Sequence, residues 1–133
     1  MPRFVIQEHH ARKLHYDFRL EMDGALKSWA VPKVPSKKAD LKRLAIQVED
    51  HALDYIDFEG EIEEGSYGAG KVKIWDKGTY DLESRKDNKI VFVLHGKKLD
   101  GRYTLLKMKW GPPRQRRGKD QWLLFKTKKE EKD

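Results

Sequence analysis

Leu14-His15-Tyr16-Asp17-Phe18-Arg19-Leu20-Glu21 decides the fold class. Apolar side chains occupy every even position and polar ones every odd position. An extended chain turns successive side chains to opposite faces, so this stretch predicts a half-buried strand and not a helix. Met22-Asp23-Gly24-Ala25 follows. Asp-Gly between two alternating runs is a strong hairpin signal. Leu26 to Val31 returns as the second strand, and Pro32, with no N–H for a ladder, ends it.

The same period extends through the chain. Arg43 to Glu49 reads as a strand with Leu44, Ile46 and Val48 toward the core and Arg43, Gln47 and Glu49 on the polar face. Tyr55 to Ile62 is compatible with extended backbone. Lys71 to Trp75 and Thr79 to Glu83 predict a hairpin around Asp76-Lys77-Gly78. Lys89 to Leu94, apolar throughout its middle, reads as buried on both faces. Arg102 to Met108 and Gln121 to Lys126 complete the set, and residues 32–42 read as a loop with room for one helical turn. No long helical period and no repeat is present. About eight short strands with turn signals imply an all-β protein, an antiparallel barrel or sandwich, and closure would remove exposed edges. Residues 1–126 are expected to form one domain, with 127–133 a frayed basic tail.

Composition narrows the function. The 133 residues are 38% hydrophobic and 38% charged, which excludes both a disordered chain and a membrane span. Met1-Pro2-Arg3-Phe4-Val5 has no signal-peptide apolar core, so the expected compartment is the cytoplasm. The absence of cysteine excludes disulfides, a thiolate nucleophile and cysteine-ligated zinc. The net charge of +7 is uneven. Residues 107–133 hold ten basic and four acidic side chains, whereas Glu49 to Glu64 holds eight acids and no Lys or Arg. A basic end of this kind suits a phosphate backbone, with Arg114, Arg116, Arg117 and Lys119 in the loop Gly111–Gly118 and just after it as the expected contacts. A solvated, solubilising tail would give the same count.

Three stretches could carry chemistry. In Gln7-Glu8-His9-His10-Ala11-Arg12-Lys13-Leu14-His15-Tyr16-Asp17, His15 and Asp17 share a strand face, and His9, preceding the strand, can swing onto it. Two imidazoles and one carboxylate suit Mn²⁺, Fe²⁺ or Zn²⁺, although loose clusters of this kind often bind nothing. Arg43, Gln47, Glu49 and His51 share parity, with Tyr55 close behind; arginine offers a fork for phosphate oxygens and histidine a proton near neutrality. Any half-solvated strand shows such alternation, so this pattern matters only if both polar faces line one concavity. Gly65-Ser66-Tyr67-Gly68-Ala69-Gly70-Lys71-Val72 nearly matches a phosphate-binding loop, but Val72 stands where a hydroxyl is needed and a β-branched run follows instead of a helix. It reads as a glycine-rich sheet corner that holds Tyr67 in place. Trp29, Trp75, Trp110 and Trp122 could stack on bases, with Trp29 and Trp122 better read as core.

Phe4 to Glu21 resembles the opening signature of the 3′-phosphoesterase module of bacterial DNA ligase D. Lys27-Ser28-Trp29-Ala30-Val31-Pro32-Lys33, Gln47 to Tyr55, Gly65 to Gly70 with Trp75-Asp76-Lys77-Gly78, Gly101-Arg102-Tyr103 and Trp122-Leu123-Leu124 resemble later signatures, so the likeness runs from about residue 4 to residue 126. It implies a β-barrel and a Mn²⁺-dependent enzyme, with Co²⁺ or Zn²⁺ as alternative ions. The implied reaction trims DNA 3′ ends in nonhomologous end joining: a terminal ribonucleoside is removed, then the remaining 3′-phosphate.

By the same resemblance His9, His15 and Asp17 match metal ligands. Arg19, Lys33, Arg43 and His51 match groups around the scissile phosphate. Gln7, Glu49 and Tyr55 match further active-site positions. The implied partners are a primer-template with a 3′-ribonucleotide or 3′-phosphate end and a separate end-joining ligase, polymerase and end-binding protein. A monomer acting as a stand-alone module is expected, with no membrane partner. Two departures from the resemblance are expected to matter: the family's N-terminal arm, expected to be missing before Phe4, and Glu63, which stands where the family usually has Pro after Ile62. The rival classes are a non-catalytic nucleic-acid-binding barrel and a metal-dependent barrel enzyme for small molecules.

Overall fold

The structure, a computed structural model, describes residues 1–65, 69–108 and 120–127. Its strands are β1 (Arg3–His10), β2 (Leu14–Met22), β3 (Ala25–Val31), β4 (Arg43–His51), β5 (Gly60–Ile62), β6 (Gly70–Lys86), β7 (Lys89–Gly96), β8 (Asp100–Lys107) and β9 (Gln121–Lys126). A short 3₁₀ turn spans Leu53–Asp57. The strands run in the order β1-β2-β3-β4-β9-β8-β7-β6-β5, and β6 also pairs with β1. Eight antiparallel strands therefore close into a barrel, as expected, with the three-residue β5 appended to the start of β6. Among the described residues no helix is long and apolar enough to cross a membrane.

The β2–β3 hairpin forms as read. Asp23 and Gly24 both take positive φ, 57° and 79°, which a tight two-residue turn requires. Even positions of β2 then point inward: Phe18, Leu20 and Met22 join Phe4, Ile6, Trp29, Phe92, Leu94, Tyr103, Leu105 and Trp122 in the barrel core. A second, smaller cluster lies on the outer wall, where Val5, Leu26 and Ile56 pack with Leu53, Tyr55 and Ile74. The 3₁₀ turn covers this wall. Phe4, Val5 and Ile6 are consequently buried on both faces, and β1 shows no period-2 pattern in the sequence. His9 needs no swing to reach the β2 face: it lies within β1, directly opposite His15.

Other expectations are corrected. Asp76-Lys77-Gly78 makes no hairpin; β6 is one continuous strand of 17 residues. The Asp76 carboxylate instead accepts the backbone N–H groups of Lys97, Lys98 and Leu99 at 2.9, 3.1 and 2.8 Å, closing the turn between β7 and β8. Gly78 lies at the corner where β6 pairs with both Phe4 and Gly96, and a Cβ there would overlap the His95 carbonyl. The faces of β4 are inverted. Ala45 is in the core and Gln47 accepts the indole N–H of Trp122 at 3.0 Å, whereas Leu44 is 37% exposed on the outer wall. Val91 and Val93 of β7 are only half-buried, so that strand has one buried face. Tyr55 to Ile62 is the end of the 3₁₀ turn followed by β5, not one extended run. Residues 32–42 contain no helical turn; Ala39 forms an isolated bridge to Lys126. Gly70 opens a strand and not a helix, in keeping with the rejection of a phosphate-binding loop, while Tyr67 and Trp110 lie outside the described residues.

Candidate metal centre and active site

The register of the β1–β2 pair builds the site. Gln7 stands opposite Asp17, and His9 opposite His15, so four polar side chains share the outer wall of two adjacent strands. His9 Nδ1 is 3.4 Å from Asp17 Oδ2, and His15 Nε2 is 3.2 Å from Asp17 Oδ1. The ring centroids of His9 and His15 are 4.8 Å apart. One ligand atom from each of the three residues falls within 4.8 Å of the others.

This set fits a divalent transition ion on its own geometry. His15 Nδ1 lies 3.1 Å from the Lys13 carbonyl, which accepts from it and leaves Nε2 to face Asp17. Fixing one ring nitrogen on a carbonyl so that the other can ligate is the usual arrangement of a metal-binding imidazole. Burial opposes ionisation of Asp17, but hydrogen bonds from His15 and His9 and the nearby Arg19 charge outweigh it. The carboxyl is held well below the usual carboxylate range. Reciprocally, Asp17 raises His15 above an ordinary imidazole. A proton on His15 and a cation in the cluster compete for the same negative charge.

Arg19, 3% exposed, lies beneath the cluster. Its Nε donates to Gln7 Oε1 at 2.6 Å, and Nη1 donates to Ser28 Oγ at 2.8 Å. Nη2 is 3.4 Å from Asp17 Oδ2, and Nη1 is 3.1 Å from His51 Nδ1. A guanidinium only donates, so His51 Nδ1 is the acceptor and the ring proton sits on Nε2. The Glu49 carbonyl, 3.2 Å from the same Nδ1, is then a neighbour and not an acceptor. Burial, reinforced by the Arg19 charge, lowers the His51 pKa, which agrees with a neutral ring. A bulge brings His51 here: Ser28 pairs with Val48 but Leu26 with His51, so Glu49 and Asp50 together oppose Lys27. Tyr55 completes the wall, its ring 4.9 Å from that of His51 and 5.0 Å from the Arg19 guanidinium carbon.

The structure thus brings His9, His15, Asp17, Arg19, Gln7, His51 and Tyr55 into one site. Gln7 is fully buried; its amide donates to the carbonyls of Tyr55 and Phe58 at 3.0 and 3.2 Å and staples the 3₁₀ turn to the barrel. It holds other groups in place and does not face solvent. Arg43, on an inward-facing position, donates to the Val34 carbonyl at 2.7 Å, while Lys33 and Glu49 are exposed. Arg114, Arg116, Arg117 and Lys119 lie outside the described residues. Sequence reasoning missed Ser28 and the Phe58 carbonyl. The Asp23-Gly24 turn sets Ser28 opposite Arg19, so the hairpin register alone could have found the first.

Fold and site together define an all-β barrel with a two-histidine, one-carboxylate cluster on its outer wall, backed by a buried arginine. The family model of the DNA ligase D 3′-phosphoesterase domain matches residues 7–107, and the chain belongs to that family. It is 50% identical over 132 residues to the multifunctional non-homologous end joining protein LigD of Pseudomonas aeruginosa, covering 95% of this chain and 15% of that protein. The LigD proteins of Mycobacterium bovis and Mycolicibacterium smegmatis are 52% and 49% identical, over 94% and 95% of this chain. The chain spans only 16% and 17% of their lengths.

Proposed function

We propose that this chain is a Mn²⁺-dependent phosphoesterase that processes DNA 3′ ends during non-homologous end joining, removing a terminal ribonucleoside and then the 3′-phosphate. The observation that carries the reading is the ligand triad His9, His15 and Asp17, with its carboxylate kept ionised and backed by Arg19. The relatives' printed names supply the repair setting. His9, His15 and Asp17 would hold the ion, which would supply positive charge against the phosphate oxygens and lower the pKa of water. Co²⁺ or Zn²⁺ would suit the same donors.

The chain's own groups do the rest. Arg19 spends four of its five N–H donors on Gln7, Ser28, Asp17 and His51, so it chiefly orients the site. His51 offers an Nε2–H hydrogen bond to the leaving 3′ oxygen, which takes its proton from water, and Tyr55 holds that ring in place. Lys33 and Arg43, at the ends of the loop between β3 and β4, are the cations for the remaining phosphate oxygens, and Glu49 flanks His51. Arg114, Arg116, Arg117 and Lys119 serve the DNA backbone. Residues 1–126 act as one domain, alongside ligase, polymerase and end-binding activities at the same DNA end.

A 5′-labelled primer-template bearing a 3′-phosphate tests the proposal. Inorganic phosphate should be released with Mn²⁺ and not with excess chelator, and His9→Ala, His15→Ala and Asp17→Ala should each lower the rate at least about 100-fold, the upper range for loss of metal support. DNA binding that is salt-sensitive but metal-independent, with no phosphate released, would make the chain a binding module instead.

A further inference from the structure

Ser28 has no part in the chemistry above, yet it is fully buried in the wall behind the site. We propose that Ser28 is a positioning residue: it locks the plane of the Arg19 guanidinium and so sets Asp17 and His51 relative to each other. This rests on the phosphoesterase reading only where turnover is measured.

The geometry separates Arg19's four partners into two kinds. Gln7 and Ser28 are neutral and tied to backbone. Gln7 spends its amide protons on the carbonyls of Tyr55 and Phe58, and Ser28 spends its hydroxyl proton on the Leu26 carbonyl at 3.0 Å. Each therefore turns an oxygen lone pair, and nothing else, toward Arg19. Asp17 and His51 are the groups with chemical work to do. A planar cation held only at Nε by Gln7 can still swing about that point. The second hold, Ser28 Oγ on Nη1 at 2.8 Å, removes the swing. The same Nη1 contacts His51 Nδ1 and the neighbouring Nη2 contacts Asp17, so any swing displaces both at once. Ser28 faces Arg19 across the β2–β3 ladder and Val48 across the β3–β4 ladder, beside the bulge that delivers His51. It is thus built into backbone on both sides and cannot follow the guanidinium if that moves.

Three readouts on the full chain test the proposal with Ser28→Ala, which removes one oxygen. With Mn²⁺ and a 3′-phosphate primer-template, kcat should fall 10- to 100-fold, the usual effect of losing a supporting hydrogen bond. KM should stay within about twofold, because the phosphate contacts are untouched. The ring ¹⁵N signals of His51, read without metal or substrate, should move from the Nε2–H pattern toward a mixture of tautomers. Ser28→Thr, which keeps the hydroxyl, should restore both. Ser28→Cys, of similar volume but a weak acceptor, should reproduce the loss, which separates the bond from packing. Wild-type kcat together with an unchanged His51 spectrum in Ser28→Ala would overturn the proposal. So would a rate loss no larger than the loss of folded protein. If the wild type itself releases no phosphate, the phosphoesterase reading fails and the His51 spectrum alone decides for or against Ser28.

Discussion

His51 is the residue whose chemistry is most exposed to test. Its Nδ1 accepts from Arg19 and burial lowers its pKa, so the neutral ring can hydrogen-bond an oxygen through Nε2–H but has no proton to transfer. A nucleoside 3′ oxygen gathers strong negative charge as it leaves and gains from that hydrogen bond; p-nitrophenolate, whose acid lies about three units below tyrosine, gains little. His51→Ala should therefore slow release of a DNA 3′-phosphate at least tenfold more than hydrolysis of p-nitrophenyl phosphate. Equal losses on the two substrates would reduce His51 to a phosphate contact. Gln7 makes a different kind of claim. It ties the 3₁₀ turn to the barrel through two carbonyls, so Gln7→Ala should destabilise the fold by about 2 kcal/mol. Amide exchange should rise first in Leu53–Asp57, and a uniform rise across the barrel would contradict the staple.

At the scale of elements, β6 and β4 show what sequence patterns miss. The Asp-Lys-Gly signal in β6 is genuine, but its parts act at a distance: Asp76 closes another turn and Gly78 admits a neighbouring backbone. Asp76→Ala leaves three backbone N–H groups near Leu99 without their acceptor and should cost about 3 kcal/mol in urea unfolding. In the middle of β4 neither parity is clearly polar, since Leu44, Ile46 and Val48 alternate with Ala45 and the half-buried amide of Gln47, while Arg43 and Glu49 lie toward the ends. Hydrophobicity alone cannot then choose the inner face; the barrel chooses the smaller residue because Trp122 stands opposite Ala45. Leu44→Ser should change stability by less than about 0.5 kcal/mol, as for an ordinary surface position. Ala45→Asp, which buries a charge against Trp122, should prevent folding. The β2–β3 hairpin was legible because its two faces differ sharply and its turn has a single favoured geometry. The His9, His15 and Asp17 cluster was legible from His15 and Asp17 on one face, but His9's seat in β1 was not, because the core and the 3₁₀ turn bury that strand on both sides.

The whole molecule is a closed barrel whose core also holds two phenols. Tyr80 donates to the Glu21 carbonyl at 2.7 Å and Tyr103 to the Ser36 carbonyl at 3.1 Å. Burial pushes both up to about 12. A raised phenol stabilises the fold fully below its unfolded pKa of about 10, and that contribution is lost as pH rises from there through about 12. Absorbance titration at pH 11 should accordingly find at least two of the five tyrosines still mostly neutral while circular dichroism remains native. The doubly substituted Tyr80→Phe, Tyr103→Phe chain should lose this protected pair. The function proposed for the barrel, however, rests on three side chains of its outer wall. The most direct test is an electron paramagnetic resonance titration of Mn²⁺ into the intact chain and into its Asp17→Asn variant. The account predicts one site per wild-type chain and at least tenfold weaker binding in the variant, with both proteins folded. Equal Mn²⁺ affinity in the two would contradict it.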